Sequence, residues 1–334
     1  MKRLLWIILS LAIFIPSCVP STPTATPTQK ILPSPAPFVE AQQYLSDALD
    51  IIQKNALNSR TVDWEQVRAT VFSREKDAKI SSETYDSIDY VIQQLNDYHS
   101  AFIPPDAANQ MNSSTVEEYP APEGKIIENK IGYIAVFSFN AQNENEINKY
   151  AESIQKILIE LDKKSVCGWV VDLREDSGGN MYPMIAGLGA LIGEGELGYF
   201  KNAMGQVVPW KYEDGEAKEG DHSHAKVSHP DFLFDPATTP VAVLIGPQTA
   251  SAGEATTISF LGRPNTRLFG ASSYGLTSGN DSFALADGAI IILATVTELD
   301  RTGQEHIGVI APDVITPHPE AEATDWLLTK AVCQ

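Results

Sequence analysis

Ser251 closes the string Gly246-Pro-Gln-Thr-Ala-Ser251, directly after the apolar run 241–245, VAVLI, and ahead of Ala-Gly-Glu254. A run so rich in Val, Leu and Ile reads as a parallel strand buried on both faces, and the residues after Ser251 read as a helix. A serine at such a junction is exposed, and the first amides of the helix face negative charge developing beside it. That suits nucleophilic attack on an acyl carbon; the bland alternative is a helix N-cap. A serine hydroxyl needs a base within hydrogen-bond reach, and imidazole is the efficient partner near neutral pH. Of six histidines, His99 stands between a predicted helix end and a serine, in Asn96-Asp-Tyr-His-Ser100. The base needs an acceptor on its second ring nitrogen, for which Glu305 or Ser100 is available. A capping His99 and a merely surface-charged Glu305 are the competing readings.

The elements that must position these groups begin with three predicted helices. Residues 38–58 carry Leu45, Ala48, Leu49, Ile52 and Ala56 at helical spacing; a second helix starts at 62–64 with Asp63 as cap. A third begins near Ser81 and aligns Tyr85, Ile88, Val91, Ile92 and Leu95. They form a small N-terminal helical lobe, 38–105, and residues 106–129 read as a connecting loop. Strand and helix then alternate: strand 131–139, helix 144–161, strand 166–173, the turn Asp176-Ser-Gly-Gly179, helix 181–192. This predicts an α/β core, 106–334, with a mixed sheet and packed helices. Residues 193–239 read as polar and aromatic loop, and His222, His224 and His229 in it as solvated side chains, although His-x-His can bind metal. Beyond Ser251 come a short strand 266–269, a Gly- and Ser-rich loop, a hairpin 281–298 turning at Asp287-Gly288, an edge segment 308–315 limited by Pro312, and a helix 325–332.

Residues 1–17 have a basic start, an apolar run and small residues before Cys18, the arrangement of a secretory signal. Ile15-Pro-Ser-Cys18 resembles a bacterial lipoprotein cleavage box, which implies a lipid anchor on Cys18; plain secretion is the alternative. Residues 18–37, rich in Pro, Thr and Ser beyond Cys18, read as the anchor and a flexible tether. The chain carries 24 Lys plus Arg against 43 Asp plus Glu, a formal net charge of -19. Such a surface excludes nucleic acid as a partner. Cys167 and Cys333 read as a buried and a terminal thiol, with a disulfide open in an oxidising space. No Cys and His spacing suggests structural zinc, and no cofactor is expected.

Several ordered strings resemble the S41 serine peptidases, the carboxy-terminal processing protease family with its tricorn-core and interphotoreceptor retinoid-binding relatives. They are Leu95-Asn-Asp-Tyr-His-Ser100, the strand start at Gly132-Tyr-Ile, Asp172-Leu-Arg with Gly178-Gly179, Thr249-Ala-Ser-Ala-Gly-Glu254, the turn 270–275, and Glu305-x-x-Gly-Val with Pro312-Asp313. The resemblance implies an S41-type core with Ser251 as nucleophile, and the amides of Gly178 and Ala252 as oxyanion donors. Where processing proteases carry a lysine base this chain has Leu276, so that dyad is excluded at this position. The tricorn-like pattern instead carries onto His99 and Glu305, with Ser100 as a fourth member although it follows rather than precedes the histidine. Residues 102–130 are too short for the PDZ domain of processing proteases.

The expected function is hydrolysis of peptide bonds in a peptide or protein substrate through an acyl-enzyme. His99, Ser251 and Glu305 are expected to converge. A non-catalytic protein binding an apolar ligand in the same cleft and an esterase are the alternatives; the polar set favours an enzyme, because an apolar ligand gives no reason to bury three polar groups.

Overall fold

A computed structural model describes residues 40–113, 119–141 and 143–334. The signal, the Cys18 anchor and the tether lie outside the described residues. Among those described, no helix is long and apolar enough to cross a membrane.

The first three helices follow their patterns. α1 (Ala41–Asn55) buries Ala41, Tyr44, Leu45, Ala48, Leu49 and Ile52, a single stripe. α2 (Trp64–Arg74) is capped as expected, the Asp63 side chain accepting from the Gln66 amide. α3 (Tyr85–Gln93) buries Ile88, Val91 and Ile92. The residues expected to form a loop at 106–129 instead contribute α4 (Pro105–Ser113) and β2 (Glu123–Ile127), after a short β1 (Ala101–Ile103). β2 was hidden because it is an edge strand, paired antiparallel to β3 (Ile131–Ala135) on one side only and largely exposed.

The central sheet runs β14-β10-β9-β4-β3-β2, with β4 at Gly168–Asp172, β9 at Val241–Ile245, β10 at Thr266–Gly270 and β14 at Val314–Ile315. All of its pairings except β2 with β3 are parallel. β9 shows why its sequence is apolar at every position. Val241, Val243 and Ile245 face one core together with α5 (Glu144–Asp162), α6 (Met181–Ile192) and α7 (Ala252–Phe260). Ala242 and Leu244 face a second core closed by Ala323 and Leu327 of α8 (Pro319–Leu328). Strand alternation therefore buries both faces.

The expected loop 193–239 is corrected. It holds β5 (Gly195–Asn202), β6 (Val207–Glu213), β7 (Glu216–Glu219) and β8 (His222–Lys226), an antiparallel meander. These strands look like loop because one face is wet, while Leu197, Trp210, Tyr212, Ala217 and Ala225 are buried on the other. The hairpin signal Asp214-Gly215, with positive φ at both residues, was present between β6 and β7. The meander joins β12 (Ile290–Asp300) through β5; β1, β11 (Ser278–Ala284) and β13 (Glu305–His306) also pair with β12. The start of β12 and its hairpin bury Leu285, Ala289, Ile291 and Leu293 against α1 and α3. The N-terminal helices thus pack on the sheet that carries β11.

Cys167 and Cys333 are joined as a disulfide across a sequence separation of 166. It ties the last turn of the chain to the amino end of β4.

Candidate functional site

Parallel strands β4, β9 and β10 all end on one side of the sheet, where turns rather than pairing decide side-chain direction. Ser251 stands there, on the residue before α7, with φ 51° and ψ −114°. A non-glycine residue takes that conformation only when its surroundings hold it. The clamp is Glu254, fully buried. Its carboxylate accepts the Ser251 amide at 3.0 Å, the Gly275 amide at 2.8 Å, the Leu276 amide at 2.7 Å and the Ser273 hydroxyl. The sequence did carry a signal for this residue: Ser-x-x-Glu is a capping-box spacing, in which a glutamate reaches back to the amide that starts the helix.

The turn after β4 backs onto Ser251. The Ala250 amide donates to the Asp176 carbonyl at 3.0 Å. At Gly178 (φ +118°) an added Cβ would lie 3.0 Å from the Ser251 Cβ, and at Gly179 (φ +112°) 2.2 Å from the Phe139 carbonyl oxygen. Both positions require glycine on dihedral and steric grounds. The Gly178 amide, expected to be free for an oxyanion, donates to Asp176 Oδ1 at 3.1 Å. The Ala252 amide opens α7, where the helix supplies no carbonyl partner.

Asp176 is buried and its Oδ2 has no partner. Burial pushes its carboxyl up to about 8, against the opposing Gly178 hydrogen bond. A carboxyl raised above its unfolded value of 3.8 leaves the folded state holding the extra proton, so stability falls as pH rises between the two values. Asp176→Asn keeps the acceptor for Gly178 and removes the charge. The variant should match the parent in Tm near pH 4 and exceed it by several degrees at pH 8; a constant difference across this range would show that Asp176 carries no such load.

His99 is presented by a tight turn after α3. Asp97 Oδ1 accepts the amides of His99 at 3.1 Å and Ser100 at 2.7 Å, and the His99 carbonyl accepts from Asn280 Nδ2 at 3.0 Å. His99 Nδ1 lies 2.8 Å from Ser278 Oγ on β11. Burial lowers the imidazole pKa, with the Asp97 charge and a hydrogen bond to the Ser278 backbone acting in the opposite direction. His99 and Ser251 line one cleft of about 510 Å³, with Ala252 and Ser278 also on its wall.

Glu305 and Ser100 are not on the imidazole nitrogen for which sequence reasoning offered them. Pairing of β13 with β12 sets Glu305 beside Lys201, whose Nζ lies 2.5 Å from its carboxylate. Glu305, Lys201 and Leu276 line a neighbouring cavity of about 790 Å³ that also reaches His99. The Ser100 hydroxyl donates to Asp97 Oδ2 at 3.0 Å and accepts the Ala294 amide at 3.0 Å. Ser278, far from His99 in sequence, takes the place; only the β11–β12 pairing reveals it. His224 stacks on Tyr182 with ring centroids 4.0 Å apart. Among the described residues, no group of three or more His, Cys, Asp or Glu is placed to hold a metal ion.

A family model described as peptidase family S41 matches residues 130–316. The chain is 27% identical over 287 residues to the nisin-resistance protein of Lactococcus lactis subsp. lactis, covering 86% of each chain. It is similar to the structure of a lipoprotein from Streptococcus agalactiae, with TM-score 0.70, 25% identity, and coverage of 86% of this chain and 96% of that one. A photosystem II D1 C-terminal processing protease shares the fold, with TM-score 0.62, 15% identity, and coverage of 88% and 99%.

Proposed function

Because the chain belongs to peptidase family S41, we propose that it hydrolyses peptide bonds through an acyl-enzyme formed on Ser251, with His99 as the base. The observation that carries this reading is the strained Ser251 at the head of α7, opening on the cleft that His99 also lines.

In this mechanism the His99 Nδ1–H is donated to Ser278 Oγ, which leaves Nε2 unprotonated to take the Ser251 hydroxyl proton as Oγ bonds to the scissile carbon. The oxyanion is held by the Ala252 amide, reinforced by the amino end of α7. The Gly178 amide joins it only in competition with Asp176. Collapse breaks the C–N bond and His99 returns the proton to the leaving amine. Water, deprotonated by the same nitrogen, then releases the acid. Tricorn-like use of a histidine in place of lysine fits Leu276, whose side chain cannot accept a proton.

A fluorophosphonate probe should label the parent and not Ser251→Ala. An unlabelled parent, or equal labelling of both, would sink the assignment. Since burial is the largest influence on His99 and lowers its pKa, kcat/KM should rise with pH around an apparent pKa below the ordinary imidazole value of about 6.5. A limb well above that value would point to another base.

We also propose that the protein is exported and held at the outer face of a bacterial membrane by lipid on Cys18. Support comes from the likeness to a streptococcal lipoprotein and from the disulfide, a bond that persists in oxidising compartments. Intact mass of the mature protein should show acyl chains on an N-terminal Cys18; an unmodified terminus would reduce this to secretion.

A further inference from the structure

We propose that Glu298 forms the floor of a substrate pocket beside Ser251, and that this pocket takes a cationic side chain, lysine or arginine, at the residue contributing the scissile carbonyl. The proposal rests on the peptidase reading and adds its specificity.

Glu298 belongs to β12, and its side chain lines the same cleft as Ser251. In the β5–β12 register it lies opposite Phe200, so both side chains and Val296, two residues earlier, point to one face. Glu298 is 2% exposed, and its Oε2 has no hydrogen-bond partner. Burying a carboxylate without a partner is costly, and buried polar groups are normally satisfied. A group left open at the wall of a binding cleft is satisfied when the ligand arrives.

The charges around it select the ligand's sign. Glu219 and Asp281 also line the cleft, and among the described residues no lysine or arginine does. Its basic groups are His99 and His224. His224 stands 3.8 Å from Glu219, which also accepts the Tyr182 hydroxyl. Glu254 lies close enough to Glu298 to raise its pKa further, burial being the larger cause of a shift well above the ordinary carboxylate range. An anionic or carboxylate-bearing side chain would meet like charge. A lysine or arginine would pair with Glu298 while laying its methylene stem along Met181, Phe200 and Val296. A cation entering the pocket favours the charged form of the Glu298 carboxyl, against the burial that disfavours it.

Two measurements on the full chain test this. The first compares kcat/KM for matched quenched peptides carrying Lys, Arg, Gln or Leu at the scissile position. The parent should prefer the cationic pair by about tenfold or more, the scale expected when an unsatisfied buried group gains its partner. Glu298→Gln should collapse that ratio. The second uses p-aminobenzamidine fluorescence with Ser251→Ala. Binding should be saturable and should be lost in Ser251→Ala/Glu298→Gln. Competition by lysine methylamide but not norleucine methylamide gives the same readout without altering Glu298. A Ser251 that labels and cleaves, with no cationic preference or with one unmoved by Glu298→Gln, overturns the pocket and leaves the peptidase. Glu298-dependent binding of p-aminobenzamidine by a protein that neither labels nor cleaves keeps the cation site and overturns the peptidase. Loss of both overturns both.

Discussion

Ser251→Ala is expected to lower kcat by about ten thousand- to a million-fold while leaving the fold intact, the range found when an acyl-transfer nucleophile is removed. Alanine meets the same φ of 51° as serine, so the substitution adds no new backbone strain, and the Glu254 clamp acts on the Ser251 amide rather than its side chain. His99→Ala should cost nearly as much. The double variant should be little worse than either, because nucleophile and base act as one unit. Additive losses in the double variant would mean that the two residues work separately. Ser278→Ala should cost less, about ten- to a hundredfold, by freeing the imidazole ring and its tautomer. The influence of Ser278 that raises the His99 pKa comes from its backbone, which alanine keeps, so kcat should fall while the pH limb stays near the parent's. An unchanged kcat would reduce Ser278 to a packing residue.

The parts of this site that were legible in sequence are those whose cause is local. Ser251 is announced by an apolar strand on one side and a helix start on the other, and its neighbours Glu254 and Ala252 follow from that junction. The turn Asp176–Gly179 carries two glycines because each faces a neighbour too close for a side chain. The partner of His99 was illegible for the opposite reason. Ser278 approaches it through the register of β11 on β12 and the docking of β1 on the same strand, and no local pattern encodes which residues of a distant hairpin will meet a helix end. Glu305 misled because charge at a motif position says nothing of which partner the sheet brings up; here the sheet brings Lys201. The meander at β5–β8 was missed because its buried residues alternate with charged ones over short strands, and only its Asp-Gly turn spoke clearly. Glu298 is the last residue of the hairpin expected at 281–298, and nothing in that pattern marks it as buried without a partner.

The disulfide carries the largest expected effect on stability. Cys167 and Cys333 enclose nearly half of the chain, with Cα atoms 5.1 Å apart. Closing a loop of that length removes freedom chiefly from the unfolded chain, and a contribution of about 2–5 kcal/mol is the usual range. Cys333 is buried, and the chain end it fixes follows α8, whose Ala323 and Leu327 close the second core against Val170, Ala242 and Leu244. Without the bridge that helix is held by its packing and by the contacts of Glu320 with Lys125 and of Glu322 with Thr316. Cys167→Ser/Cys333→Ser should therefore unfold at a urea midpoint well below the parent, and dithiothreitol should bring the parent to the same midpoint while leaving the variant unmoved. Activity at 25 °C should survive, because the bridge lies at the amino end of β4 whereas Ser251, Asp176 and Gly178 lie beyond the carboxyl ends of β4 and β9. A parent whose midpoint ignores the reductant would show that α8 docks without help from the bridge; loss of activity before loss of fold would show that the two ends of the sheet are coupled.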